Sequence, residues 1–364
     1  MPRHEWVKFI RRSIVRGAHA TYGAVAVRRA MWRHATPLKL ANLIAVKAQK
    51  RLRVDRMRGM PYRYKVDPTN VCRMSCPLCP TGIGVVNRRR GFMDLSLYRS
   101  LIDQIAPYSL ILDLFGWGEP MLHHGLPAMI RYASERNLFT RFSSAFGGCD
   151  RGRAEALVAS GLDAIVIAVD GASEETYRAY RRGCRLADVV ASTDRLLAAR
   201  ARAATNAPHV TIRMLVSRHN EHEIRDVKRL AAEHGVDAFT VGTLALNAHD
   251  IESRRAWLPV NPLMNDYTEG PHNKGCCDDL WESMVINWDG RSAPCCWIYD
   301  SRHDLGDVRG DDLESLWNSP AYVASRRAAA GRAPRRNDPP VICDRCRGRP
   351  GYLSDARKLI SRSG

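Results

Sequence analysis

The run Val66-Asp67-Pro68-Thr69-Asn70-Val71-Cys72-Arg73-Met74-Ser75-Cys76-Pro77-Leu78-Cys79-Pro80 sets three cysteines in a C-x3-C-x2-C triplet directly after a short strand-like segment. Three thiolates this close in sequence cannot all pair as disulfides, but they can converge on one soft metal centre. Three is one ligand fewer than a closed [4Fe–4S] or structural zinc site needs. An iron with an open position can bind something further, so the odd count points to reaction rather than scaffolding. A zinc knuckle completed by a nearby histidine is the alternative reading of the triplet alone.

Beyond the triplet, the apolar run from Ser109 ends in Leu114-Phe115-Gly116-Trp117-Gly118-Glu119-Pro120. A strand closing on Gly-x-Gly-Glu-Pro offers unhindered backbone groups at its carboxyl end. Further strands are predicted over Thr140–Ser144, Ala164–Gly171, Val210–Ser217 and Ala238–Thr243. Helical patterns lie between them at Leu95–Ile105, Leu126–Arg136, Arg153–Ser160, Ala187–Arg200 and Glu221–His234. Strands alternating with helices imply a parallel sheet. Polar and glycine residues cluster at the carboxyl ends of these strands, where barrel and open α/β enzymes place their chemistry.

Triplet, Gly-Glu-Pro turn and six-fold rhythm together resemble the radical SAM superfamily. The resemblance implies an α/β fold, a partial (β/α)6 barrel. It also implies a [4Fe–4S] cluster on Cys72, Cys76 and Cys79, its fourth iron chelated by S-adenosylmethionine (SAM). Reductive cleavage of SAM then gives methionine and a 5′-deoxyadenosyl radical that abstracts hydrogen from a substrate. Within this resemblance Gly116, Gly118, Glu119 and Pro120 match the segment that binds the SAM amino group. Ser143 and Ser144 match a third-strand SAM contact, and Asp170 falls near the ribose. Arg181 matches a segment that many relatives carry after the fourth strand. Arg213 is expected to pair with the SAM carboxylate, since guanidinium matches carboxylate bidentately. Val216 and Ser217 fall where the adenine lies. Each has a plainer reading: Asp170 as a turn residue, Arg181 as a solvated helix residue, Arg213 as a surface strand residue. Two positions depart from the family: Leu78 replaces an aromatic residue, and Ala145 follows Ser144 where Asn is common.

Of eleven cysteines, six lie beyond residue 270, as Cys276-Cys277, Cys295-Cys296 and Cys343-x-x-Cys346. Cys277, Gly290 and Cys295 follow C-x12-G-x4-C, and Asp289-Gly290 marks a hairpin turn that lets the cysteines approach. Four thiolates complete a [4Fe–4S] or zinc site. The pattern resembles the small SPASM/twitch extension of radical SAM enzymes, as does Leu305 to Pro320. That resemblance implies one auxiliary [4Fe–4S] cluster on Cys277, Cys295, Cys343 and Cys346, with Cys276 or Cys296 as alternates. A zinc ribbon is the purely structural alternative. Cys149 and Cys184 read as core or loop residues, or as a thiol that donates hydrogen near the radical.

The 364 residues carry a formal charge of +18. Residues 1–60 hold fifteen Lys and Arg against two acidic residues, so the catalytic body is not notably basic. Apolar Ile10, Ile14, Ala18, Tyr22 and Val25 alternate there with arginines, and Leu38–Leu52 repeats the pattern. A basic amphipathic helical extension (1–60), a barrel (61–255) and an auxiliary domain (256–364) are the expected divisions. The extension reads as a helical pair on the barrel or as a peripheral contact with an anionic membrane surface. Nucleic acid is disfavoured, since no aromatic-basic interleaving is present. Without a signal-peptide pattern the expected compartment is the reducing cytoplasm. The expected partners are a reductant such as flavodoxin or ferredoxin, and a small-molecule or peptide substrate. The incomplete auxiliary cysteine pattern and the short N-terminal segment favour oxidation of a small or carrier-linked metabolite, with the auxiliary cluster as electron acceptor. Peptide or protein maturation is the second reading.

Overall fold

The computed structural model describes residues 31–244, 255–261, 264, 277–310 and 312–346. The pattern from Ile10 to Val25, and Cys276, lie outside the described residues. The chain opens with helix α1 (Pro37–Arg51), strand β1 (Arg63–Val66), α2 (Leu95–Ile105), β2 (Ile111–Asp113), α3 (Leu126–Ser134) and β3 (Phe139–Ser144). It continues with α4 (Arg151–Ala159), β4 (Ala164–Ala168), α5 (Glu174–Tyr180), α6 (Leu186–Arg202), β5 (His209–Val216), α7 (Ile224–Glu233) and β6 (Ala238–Thr243). The C-terminal part holds α8 (Asp279–Glu282), β7 (Ser283–Ile286), β8 (Arg291–Ala293), β9 (Gly306–Asp307), α9 (Leu313–Trp317) and α10 (Pro320–Ala329).

From β1 to β6 the alternation is the one the apolar runs predict. The causes are local. Asp94 caps α2 by accepting from the Ser96 and Leu97 amides, and Tyr98, Leu101, Ile102 and Ile105 bury one helical face. β4 is buried at every position, a continuous apolar run as in a parallel strand covered on both faces. The short helix α5 goes beyond the predicted elements; Ser173 caps it by accepting from the Thr176 amide.

The residues form two compact units. One contains residues 31–72, 84–140 and 277–346. In it β1 pairs in parallel with both β2 and β7, Tyr64 standing opposite Leu112 and Met284. β8 and β9 follow antiparallel. The predicted Asp289-Gly290 turn joins β7 to β8, with Gly290 at φ 83°, where an L side chain is strained. The C-terminal helices dock on residues 54–59. Trp281 Nε1 donates to Val54 O (2.9 Å) and Trp317 Nε1 to Gly59 O (3.1 Å). The buried Arg326 guanidinium donates to Leu280 O, Asp55 O and Trp317 O, and lies 4.0 Å from the Trp317 ring centre. Past Gly331 the chain is mostly exposed, and Arg332 is tied to Asp55.

Helix α1 occupies the predicted amphipathic segment, yet it turns Lys39 and Asn42 inward. Lys39 Nζ donates to Asn137 O, and burial pulls its pKa down to about 8. Ile44 and Leu52 are both 70% exposed. Among the described residues no helix is long and apolar enough to cross a membrane.

The other unit contains residues 73–83, 141–244 and 255–261. Its strands β3 to β6 pair in parallel in sequence order. Ile165, Ile167, Val210, Ile212 and Met214 fill its core together with Leu157, Leu196 and Val227 from the helices.

Candidate active site and auxiliary metal centre

In the first unit the chain leaving β1 runs through Asp67–Val71 to the half-buried Cys72, and the turn after β2 is laid directly along it. The Glu119 amide donates to Val71 O (2.9 Å) and the Trp117 amide to Asp67 Oδ2 (3.0 Å). A Cβ on Gly116 would stand 2.5 Å from the Asp67 carboxyl carbon, and one on Gly118 1.9 Å from Thr69 O. The Gly-x-Gly spacing is therefore what lets the two segments touch. Glu119 caps the turn Pro120–Leu122 by accepting from the Met121 amide (3.0 Å). Burial pushes the Asp67 carboxyl up to about 7 against the pull of the Trp117 amide. The Trp117 ring reaches the C-terminal part: Nε1 donates to Ile298 O (3.1 Å) and the ring meets Tyr299 edge-on.

In the second unit Cys76 is buried and Cys79 half-buried. Their loop winds tightly, the Cys79 amide donating to Cys76 O and the Ile83 amide to Cys79 O. Ser143 is half-buried on β3, and buried Ser144 turns its hydroxyl to accept from the Phe146 amide (2.7 Å). Asp170 is fully buried with both carboxylate oxygens engaged, Oδ1 by the Leu215 amide (2.6 Å) and Oδ2 by Arg181 Nε (2.5 Å). Arg181 also stands within electrostatic reach of the Cys76 sulfur. Burial raises the Cys76 thiol, and the guanidinium pulls it back. The Arg213 guanidinium lies over Gly242, where a Cβ would come within 2.5 Å. Val216 and Ser217 are buried at the end of β5. Cys149 is buried in the core, its thiol pushed up to about 11 by desolvation, and Cys184 is half-buried beside Gly147.

The C-terminal cysteines gather within the first unit. Cys277 precedes α8, Cys295 and Cys296 follow β8, Cys343 lies in the turn Ile342–Arg345 and Cys346 follows it. Cys277 interacts with Cys343 and Cys295, and Cys343 with Cys346. Val285, Ala293, Ile298 and Ile342 pack around Cys295, with Cys296 and Cys343 against them. Burial pushes the Cys277 and Cys343 thiols up to about 12, and that of Cys295 well above its ordinary value. The Asp279 and Leu280 amides point at the Cys277 sulfur and the Trp297 amide at that of Cys295. Cys296 also stands within electrostatic reach of Arg63. The donor set fits an iron–sulfur cluster: soft sulfur ligands in an apolar shell, with amides aimed at them. Loading it displaces the thiol protons. Among the described residues no three His, Cys, Asp or Glu side chains close on one point as a single ion requires. A four-iron cluster takes one thiolate per iron and spaces its ligands more widely.

The model of the radical SAM superfamily matches residues 66–246, and that of the SPASM iron-sulfur cluster-binding domain matches residues 276–347. The chain belongs to the radical SAM superfamily. Like other radical SAM proteins it therefore uses a [4Fe–4S] cluster with SAM, and the SPASM domain adds auxiliary iron–sulfur binding. The chain is 26% identical over 202 residues to PqqA peptide cyclase of Xanthomonas campestris pv. campestris, covering 55% of this chain and 51% of the relative. It thus spans about half the length of those curated relatives. Over 298 residues it is 23% identical to the tungsten-containing aldehyde ferredoxin oxidoreductase cofactor-modifying protein of Pyrococcus furiosus, covering 72% of this chain and 82% of that one. Among solved structures, Streptococcus suis SuiB bound to S-adenosylmethionine has the same fold: TM-score 0.61, 14% identity, 86% of this chain and 80% of that chain.

Three supporting residues escaped sequence reasoning. Asn220 accepts from the Ser217 amide and donates to the carbonyls of Asp170 and Leu215, knitting the ends of β4 and β5. Its one signal was an Asn three residues past a strand end. Arg88, alone among the run Arg88-Arg89-Arg90, is buried, and its two terminal nitrogens grip Asp289 and Asp304. No sequence pattern distinguishes it from its neighbours. Asp67 accepts from the Trp117 amide, and nothing in the run Val66–Pro80 singles it out.

Proposed function

We propose that this radical SAM enzyme oxidatively modifies a peptide or protein substrate. Cys72, Cys76 and Cys79 hold the SAM-binding cluster in this reading. Cys277, Cys295, Cys343 and Cys346 hold an auxiliary [4Fe–4S] cluster. When bound, the first cluster supplies the electron that cleaves the SAM sulfonium. The chain's own residues orient and shield. The turn Gly116–Pro120 presents backbone groups to the SAM amino group, and Arg213 is the candidate partner of its carboxylate. Ser143, Ser144, Val216 and Ser217 line the nucleoside side. Asp170 and Arg181 support that side from beyond β4 and from the C-terminus of α5.

The observation that carries the reading is the Gly-Trp-Gly-Glu-Pro turn laid on the segment entering Cys72, a fit that only glycine permits at position 118. The identity to PqqA peptide cyclases moves the substrate class from the small metabolite favoured by the sequence toward a peptide. Anaerobic reconstitution with iron and sulfide, then SAM and dithionite, should yield 5′-deoxyadenosine. Coexpression with the short reading frames beside its gene should yield a peptide lacking two hydrogens by mass spectrometry. Modification of a sugar or lipid-linked metabolite instead, with all such peptides untouched, would overturn the peptide reading.

The exposed Ile44 and Leu52 on a basic segment favour a second, separate reading, contact with an anionic membrane surface. Cosedimentation with phosphatidylglycerol but not phosphatidylcholine vesicles is its expected result.

A further inference from the structure

The segment Tyr180-Arg181-Arg182-Gly183 lies along the loop that carries Cys76. Arg182 O accepts from the Ser75 amide at 3.0 Å. Gly183 sits at φ 93°, and a Cβ there would stand 3.1 Å from Arg73 O. The Arg181 guanidinium is thereby held on the Asp170 carboxylate at 2.5 Å, within electrostatic reach of the Cys76 sulfur. Asp170 cannot swing away, because the Leu215 amide holds its other oxygen and Asn220 its carbonyl. The Arg181 side chain is only 15% exposed, and that of Asp170 is not exposed at all. A buried ion pair is weak evidence for stability, since desolvating both charges offsets their attraction. What sets this pair apart is its third member, a cluster ligand.

We infer that Arg181, locked in place by Asp170, is a positioning residue for the cluster on Cys72, Cys76 and Cys79, and that its charge governs how readily that cluster accepts its electron. The inference rests on the cluster assignment proposed above. Reduction adds one negative charge to the cluster. A fixed cation beside a ligand sulfur stabilises the reduced form. The Asp170 carboxylate acts in the opposite direction at slightly greater distance. Removing either member of the pair should therefore move the reduction potential, with opposite signs.

The test is a potentiometric titration of the reconstituted full chain, following the electron paramagnetic resonance signal that changes when SAM is added. Iron is measured on every variant. Arg181→Gln should lower the reduced-to-oxidised ratio at fixed potential about tenfold, equivalent to about 59 mV for one electron. Arg181→Lys keeps the charge and should recover part of that loss. Asp170→Asn should shift the potential upward. Unchanged potentials with full iron would overturn the inference. So would Arg181→Gln and Asp170→Asn shifting together, which is the mark of a loosened loop. If Arg181→Gln fails to hold iron, Asp170→Asn and Arg181→Lys decide, and a potential that does not rise in Asp170→Asn overturns it. A wild-type chain with no SAM-sensitive signal would instead remove the underlying cluster assignment.

Discussion

Single residues set the tolerances around the turn Gly116–Pro120. Gly118 has no room for a methyl group: the obstacle, Thr69 O, is backbone and cannot rotate aside. Gly118→Ala should weaken SAM binding at least about tenfold, or 1.4 kcal/mol, as measured by equilibrium dialysis on the reconstituted protein. Asp67 gives a pH signature. Its folded carboxyl titrates at about 7 against an ordinary 3.8, because burial disfavours the charge. Between these values the folded state keeps a proton that the unfolded chain releases. Stability should therefore fall as pH rises through this window and level off above it. Every tenfold difference in proton affinity between the folded and unfolded carboxyl contributes about 1.4 kcal/mol. Asp67→Asn should flatten the dependence, measured by urea unfolding of the apo-protein near pH 5 and near pH 8. The close backbone approach at Gly116 and Gly118 was legible because a Gly-x-Gly strand end leaves the backbone unhindered. Arg181 was legible as a position but not as a partner of Cys76, since that contact depends on a turn whose course no local pattern states.

Elements were legible where periodicity and caps agree. Helix α2 lies over Leu95–Ile105 as the apolar spacing predicts, with Asp94 as its observed cap, and the Asp289-Gly290 hairpin follows from turn chemistry. Helix α1 was legible as a helix but not in its orientation. Lys39 and Asn42 face inward because carbonyls of Asn137, Met60 and Tyr108 await them, and those lie far away in sequence. Helix α10 carries a comparable surprise in Arg326, which would read as a surface residue. Arg326→Ala would leave three buried carbonyls without that donor and should cost about 3 kcal/mol or more. Chemical denaturation measures it, and Arg326→Lys should recover only part, since an ammonium cannot match the planar fork. The candidate auxiliary-cluster cysteines sit just before α8, just after β8 and at the last turn. Replacing Cys343 and Cys346 with Ala should take iron from about eight atoms per chain to about four, by anaerobic iron analysis.

At the scale of the whole chain, contact follows space rather than sequence order. The SPASM match begins at residue 276, yet β7 within it pairs along the full length of β1. A chain ending at residue 246, where the superfamily match stops, would open the β1 edge and leave Val54 O and Gly59 O without their tryptophans. Such a truncation should be insoluble or lack cooperative unfolding, checked by expression yield and near-ultraviolet circular dichroism. The cysteine spacings revealed both cluster regions, but nothing local could announce that a strand at residues 283–286 belongs beside one at residues 63–66. That pairing has a cost in time. A ribosome adds roughly 5–20 residues per second, so β1 emerges tens of seconds before the strand that covers its free edge. During that interval the nascent chain displays an unpaired strand edge and the reduced thiols of Cys72, Cys76 and Cys79 among others, which makes shielding by a chaperone during synthesis a natural requirement for making this enzyme in oxygenated cells.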